Sequence, residues 1–135
     1  MKVLICAVVF ALVATMGHSL SEEQKERARA VSKECREKSG VPEDLVLKAR
    51  QGQFTDDPKL KEHLYCFAQK LGLINAQGEL QPEVIKAKIK NDVNADVAEK
   101  ANQKCASVKA ATPQQTAYDA FKCYSEQTDK RFSLS

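Results

Sequence analysis

Between Lys59 and Gly72 the chain reads KLKEHLYCFAQKLG, a pattern that only a helix satisfies. Leu60, Leu64, Phe67 and Leu71 fall at i, i+4, i+7 and i+11, so four large apolar side chains line one helical face. Asp57 is placed to cap the first turn, and Pro58 suits the first helical position because its missing N–H would have no partner there. Gly72 supplies the stop. Cys66 lies beside the apolar stripe, where a bridge would tie this helix to another. The rest of the chain is expected to pack around it.

The N-terminus sets the compartment. Lys2 precedes a nearly unbroken apolar run from Val3 to Ala14, followed by the small residues Thr15, Gly17 and Ser19. A charged start, a short apolar centre and a small-residue end predict a secretory signal peptide over residues 1–19. The run is too short for a membrane anchor, which needs ~20 apolar residues. Cleavage is expected before Leu20, with Gly17/His18 as the alternative point. The mature chain, residues 20–135, is then one small secreted domain, a monomer or weak dimer without stable membrane insertion. Cleavage removes Cys6 and one of the 21 Lys and Arg, and none of the 18 Asp and Glu. A slight positive excess remains, with charges of both signs interleaved. No basic block with interleaved aromatics occurs, which excludes nucleic acid as a natural partner.

Four cysteines stay with the mature chain: Cys35, Cys66, Cys105 and Cys123. An even number in a small secreted domain predicts two disulfides, and spacing alone leaves all three pairings open. Zinc would require close pairs or nearby histidines. The gaps here are 30, 38 and 17 residues, and His63 is the sole histidine of the mature chain. No metal or other cofactor is expected.

Read in order, the chain is a succession of helices. SEEQ at Ser21 is a capping-box pattern, and Ala28, Val31 and Cys35 form a narrow stripe that ends at Ser39-Gly40. A short second helix runs from Glu43 to Arg50 with Leu45, Val46 and Leu47, and Phe54 is a lone aromatic in the loop beyond it. After the central helix, Asn75, Gln77 and Gly78 make a turn. Pro82 opens a fourth helix to about Lys90, with Val84, Ile85 and Ile89 on its apolar side and lysines from Lys86 onward on a solvated side. Asn94 caps a fifth, roughly Ala95 to Lys109, whose stripe is Val97, Ala101, Cys105 and Val108. Thr112-Pro113 starts the sixth, to about Gln127, with Ala117, Ala120, Phe121 and Tyr124 inward. A tail follows in which Phe132 and Leu134 are apolar. No strand pattern competes, so the fold class is all-α, about six helices in one domain.

Catalytic signatures are missing. There is no G-x-S-x-G, H-E-x-x-H, P-loop or G-x-G-x-x-G. His63 lies three residues before Cys66, but a Cys–His dyad needs a free thiolate, and Cys66 is better placed in a disulfide. The chain is not expected to be an enzyme. His63 itself reads as a solvated histidine on the central helix; the alternative is a pH switch for ligand release.

The segment FAQKLGLINAQGEL after Cys66, and TPQQTAYDAFKCYSE around Cys123, resemble the insect odorant-binding proteins of the pheromone/general odorant-binding class. That class usually carries six cysteines. On this alignment Glu62 replaces the second and Gln114 the fifth, the two members of one bridge, as in the four-cysteine "minus-C" subgroup. The resemblance spans the whole mature sequence. It implies the pairs Cys35–Cys66 and Cys105–Cys123, a compact helical array around an apolar cavity, and non-covalent carriage of small hydrophobic molecules. Loss of the third bridge implies looser packing of the third and sixth helices.

The expected function is a secreted carrier that binds odorants, pheromones or lipid-like ligands in an internal cavity, with a membrane receptor or another carrier as an onward partner. The competing reading is a structural or signalling protein of haemolymph or seminal fluid with a solid core, acting through a protein partner. For the carrier, the first half of the chain offers Val31, Leu47, Phe54 and Leu64 as cavity residues. The middle offers Leu73, Ile74, Val84, Ile85 and Ile89, and the last third Val97, Val108, Ala117 and Phe121. Tyr118 and Tyr124 are the candidate hydrogen-bonding groups, and Phe132 and Leu134 a candidate lid.

Overall fold

A computed structural model describes residue 23 and residues 25–89 and 93–128. The signal-peptide reading of residues 1–19, the capping box at Ser21 and the lid residues Phe132 and Leu134 lie outside the described residues. Within them the chain forms six helices: α1 over residues 25–39, α2 Glu43–Arg50, α3 Pro58–Lys70, α4 Pro82–Ile89, α5 Ala95–Cys105 and α6 Pro113–Gln127. One isolated antiparallel bridge, Ile74 to Leu80, closes the loop between α3 and α4.

The helix starts follow the capping chemistry. Asp57 Oδ1 accepts the backbone N–H groups of Lys59 at 2.8 Å and Leu60 at 3.3 Å. Asn94 Oδ1 accepts that of Val97 at 2.9 Å, and Thr112 Oγ1 that of Gln115 at 3.1 Å. Each bond satisfies a donor that a helix N-terminus leaves without an intrahelical partner. In the α3–α4 loop, Asn75 Oδ1 accepts from the backbone of Gln77 and Glu79. Gly78 sits there at φ +77°, where a Cβ would come within 3.2 Å of the Pro113 ring, so only glycine fits without a shift.

α3 is the hub. Its inner face packs on α6, where Leu60 and Leu64 meet Ala117 and Tyr118, with Val41 and Val46 of the α2 region completing the cluster. Phe67 packs with Val31 and Cys35 of α1. A third cluster joins Ala68 of α3 to the following loop, α4, α5 and α6, through Leu73, Ile74, Ile85, Ile89, Ala98, Ala101, Ala120 and Tyr124. The two disulfides are Cys35–Cys66, joining α1 to α3, and Cys105–Cys123, joining α5 to α6. α2 and α4 carry neither.

α5 is shorter than its periodicity predicts. It ends at Cys105 rather than near Lys109. The chain leaves the helix there to turn back into α6, and the turn is held by a bond from the Val108 N–H to the Cys105 carbonyl. A second bond, from the Ala110 N–H to Thr116 Oγ1 at 2.8 Å, fixes the approach to α6. Among the described residues no helix is long and apolar enough to cross a membrane.

Candidate functional site

A cleft opens where α3, the α3–α4 loop, α4 and α6 converge. Ala68 comes from α3, Leu73 and Leu80 from the loop, Ile85 and Ile89 from α4, and Ala117, Ala120, Phe121 and Tyr124 from α6. The spacing of α6 produces its share: Ala117, Ala120, Phe121 and Tyr124 fall at i, i+3, i+4 and i+7 on one face. Three of the walls are alanines, and the space exists because these side chains stop at Cβ. The cleft holds about 320 Å³ of atom-free space, part of it open to solvent. The walls stand close together and leave room for about one water between them. A larger guest must part the walls. α4 is the one lining helix without a disulfide, and it is tied to α5 by the exposed Lys86–Glu99 ion pair and a bond from Asn102 Nδ2 to the Pro82 carbonyl at 3.1 Å.

The wall is carbon. Tyr124 is the one lining residue with a polar side-chain atom, and its hydroxyl points away, donating to Asn102 Oδ1 at 2.6 Å. Burial pushes the Tyr124 phenol up to about 12, so it stays neutral at any physiological pH.

Six of the cavity candidates read from the sequence meet at this cleft: Leu73, Ile85, Ile89, Ala117, Phe121 and Tyr124. Others are buried elsewhere. Leu64 lies in the cluster under α2, Val31 packs against Phe67, and Ile74 is in the core beside the cleft. Val97 and Val108 are half-buried. Phe54 is half-buried edge-on to Tyr118, with ring centroids 5.9 Å apart. Tyr118 donates its hydroxyl to the Phe54 carbonyl at 3.1 Å, so it anchors the α2–α3 loop and does not face the cleft. Two candidates point outward. Leu47 is 46% exposed because Val46 takes the inward position on a helix of only two turns. Val84 is 36% exposed because Ile85 and Ile89, one turn apart, define the inner face of α4. Ala68, Leu80 and Ala120 line the cleft without having been singled out for it. The α6 stripe carried the signal for Ala120; for the other two no sequence signal separated wall from packing.

His63 corrects a second expectation. It is not solvated but 1% exposed, on the face of α3 toward α1, its ring stacked on Phe67 at 6.3 Å. Burial pushes its pKa down to about 4; the positive charges of Arg36 and Arg50 push the same way, against a hydrogen bond to the Cys35 backbone. Between pH 7.5 and 5 it therefore remains neutral, outside the range a release switch would use. Among the described residues no cluster of His, Cys, Asp and Glu could hold a metal ion.

The comparisons with known proteins agree with this architecture. The family model described as "PBP/GOBP family" matches residues 17–127. The B1 protein of Tenebrio molitor is 39% identical over 106 residues, which is 78% of this chain and 81% of that protein. Among solved structures, the THP12 carrier protein from the yellow mealworm is 41% identical, covers 68% of this chain and 85% of its own, and gives a TM-score of 0.56. The fatty acid binding protein OBP56a from the oral disk of the blowfly Phormia regina is 27% identical with a TM-score of 0.65, over 82% of this chain and 96% of that one. With a family match across most of its length, two disulfides and an all-helical fold enclosing a carbon-walled cleft, the chain belongs to the PBP/GOBP family of insect odorant-binding proteins, small-ligand carriers rather than enzymes.

Proposed function

We propose that this protein is a secreted carrier that reversibly binds small hydrophobic molecules in the cleft between α3, α4 and α6. The observation that carries the reading is the cleft itself, whose lining presents carbon and no unpaired polar atom. Apolar burial would drive binding at about 25 cal/mol per Å² of ligand surface removed from water. The likeness to proteins described as a carrier and as a fatty acid binding protein supports the same ligand class. The apolar N-terminal run and the two bridges support secretion through residues 1–19 as a signal peptide, with residues 20–135 as the mature four-cysteine, minus-C domain. Delivery to a membrane receptor or another carrier, by a monomer or weak dimer, completes the proposal.

Titration of the oxidised mature protein with a fluorescent apolar probe tests it. Saturable micromolar binding, reversed by terpenoids or long-chain compounds, is the expected result. The narrowness of the cleft is the observation that favours the competing reading, a solid-cored protein acting through a protein partner. No binding by a correctly folded sample would overturn the carrier and shift the reading to that alternative.

The location is tested by filling the cleft. Ala120→Phe adds a ring where the wall now stops at Cβ, and probe affinity is expected to fall at least about tenfold with an unchanged circular dichroism spectrum. Ala117→Leu is the milder filling variant should Ala120→Phe fold poorly. Unaltered affinity in a folded filling variant would place the ligand elsewhere.

A further inference from the structure

Resting on the carrier reading above, we infer that the cleft selects ligands whose buried part is hydrocarbon, because its single hydroxyl is committed to an internal network. Tyr124 reaches from α6 to Asn102 of α5, and Asn102 in turn holds the Pro82 carbonyl at the start of α4. Both residues are buried, Tyr124 at 4% and Asn102 at 9% exposure. The Tyr124–Asn102 bond, at 2.6 Å, is short for two neutral groups. Turning the hydroxyl toward a ligand would leave Asn102 Oδ1 unpaired in the core and loosen the point where α4 is held. The second tyrosine on α6, Tyr118, is engaged with the Phe54 carbonyl outside the cleft. The remaining walls, from Ala68 to Phe121, end in carbon.

A ligand hydroxyl or carboxylate drawn into this space therefore gives up its hydrogen bonds to water and gains none. A long-chain alcohol or acid escapes the loss by leaving its head group at the solvent-open mouth. A ligand small enough to lie wholly against the carbon walls has no chain to carry its hydroxyl to the mouth, so compact pairs reveal the selectivity. The Tyr124–Asn102 pair is then a specificity-determining device: it keeps a polar atom next to the cleft without offering it to the ligand.

The test is displacement of the apolar probe by matched compact terpenes that differ by one hydroxyl, limonene against α-terpineol. The hydrocarbon is expected to bind on the order of tenfold tighter than the alcohol, the penalty for an unpaired buried hydroxyl. In Tyr124→Phe the alcohol is expected to lose no more affinity than the hydrocarbon. An alcohol that binds as tightly as its hydrocarbon, or that alone loses fivefold or more in Tyr124→Phe, would show a ligand-facing donor and overturn the inference while leaving the carrier standing. Failure of both terpenes and the probe to bind would instead remove the carrier reading.

Discussion

Replacing Cys35 and Cys66 together by alanine is expected to lower the stability of the mature domain by about 4 kcal/mol. The bridge closes a loop with a sequence separation of 31 residues, and the chain-entropy argument assigns that closure a stabilisation of this size, exerted on the unfolded chain. The corresponding value for Cys105–Cys123, with a separation of 18, is about 3 kcal/mol. The two losses should differ in kind as well as size. α1 is held to α3 by the bridge, by the small cluster of Val31, Cys35 and Phe67, and by the Lys70–Glu34 ion pair at 3.2 Å. That pair is largely exposed and contributes little. Without Cys35–Cys66, the amides of α1 should exchange with solvent well before those of α3 and α6. α5 and α6 keep Ala101, Ala120 and the Asn102–Tyr124 bond when Cys105–Cys123 is removed, so that loss should appear as a general lowering of the unfolding transition. Thermal unfolding by circular dichroism measures the first effect, as a drop in Tm of roughly 15 °C. A drop of only a few degrees would mean that α1 is secured by packing and not by the bridge.

Acidification from pH 7.5 to about pH 4 is expected to cost on the order of 3 kcal/mol through His63 alone. In the folded protein the imidazole stays neutral down to about pH 4, because it is buried against Phe67 and faces Arg36 and Arg50. In the unfolded chain it takes up its proton near 6.5. Below pH 6.5 the unfolded state therefore binds more protons, so the stability present above 6.5 is lost progressively as the pH falls toward 4. Glu34, Asp56 and Glu99 are held below the usual carboxylate range by hydrogen-bonded lysines: Lys70 and Lys38 for Glu34, Lys61 for Asp56 and Lys86 for Glu99. Their contribution is fully present above the unfolded carboxylate values of 4.5 for the glutamates and 3.8 for Asp56 and is lost only below them, so His63 alone sets the slope above pH 4.5. Urea unfolding at a series of pH values should show the slope set in below 6.5, and His63→Gln should flatten it between 6.5 and 4.5. The imidazole resonance of His63 in wild-type protein reads the pKa directly, and a value near 6.5 would defeat the prediction whatever the variant does.

The helical class, the element order and most helix starts were legible because they depend on local chemistry. Asp57-Pro58, Asn94 and Thr112-Pro113 each begin a helix where they stand, because a side-chain oxygen beside a helix start finds the same free N–H donors in any tertiary setting. The cysteine partners came from resemblance alone, since spacing left three pairings open. The faces of the two short helices were less legible. An eight-residue helix has too few turns for its periodicity to separate Val46 from Leu47, or Ile85 from Val84, and the neighbours decide which side is buried. His63 reads as a solvated residue from the sequence of α3 alone; it is the approach of α1, bridged through Cys35–Cys66, that covers it.

The sequence by itself determined where the chain coils, which residues could form a core and that no catalytic constellation was present. Only the tertiary structure decided which apolar residues face a void and which face each other. A void is the absence of side chain between elements distant in sequence, and Ala68, Ala117 and Ala120 leave one only because α3 and α6 are held at this separation while α4 closes the side. The same holds for Tyr124, whose pattern marks it as inward but whose hydroxyl is turned from the cleft by Asn102, 22 residues away on another helix.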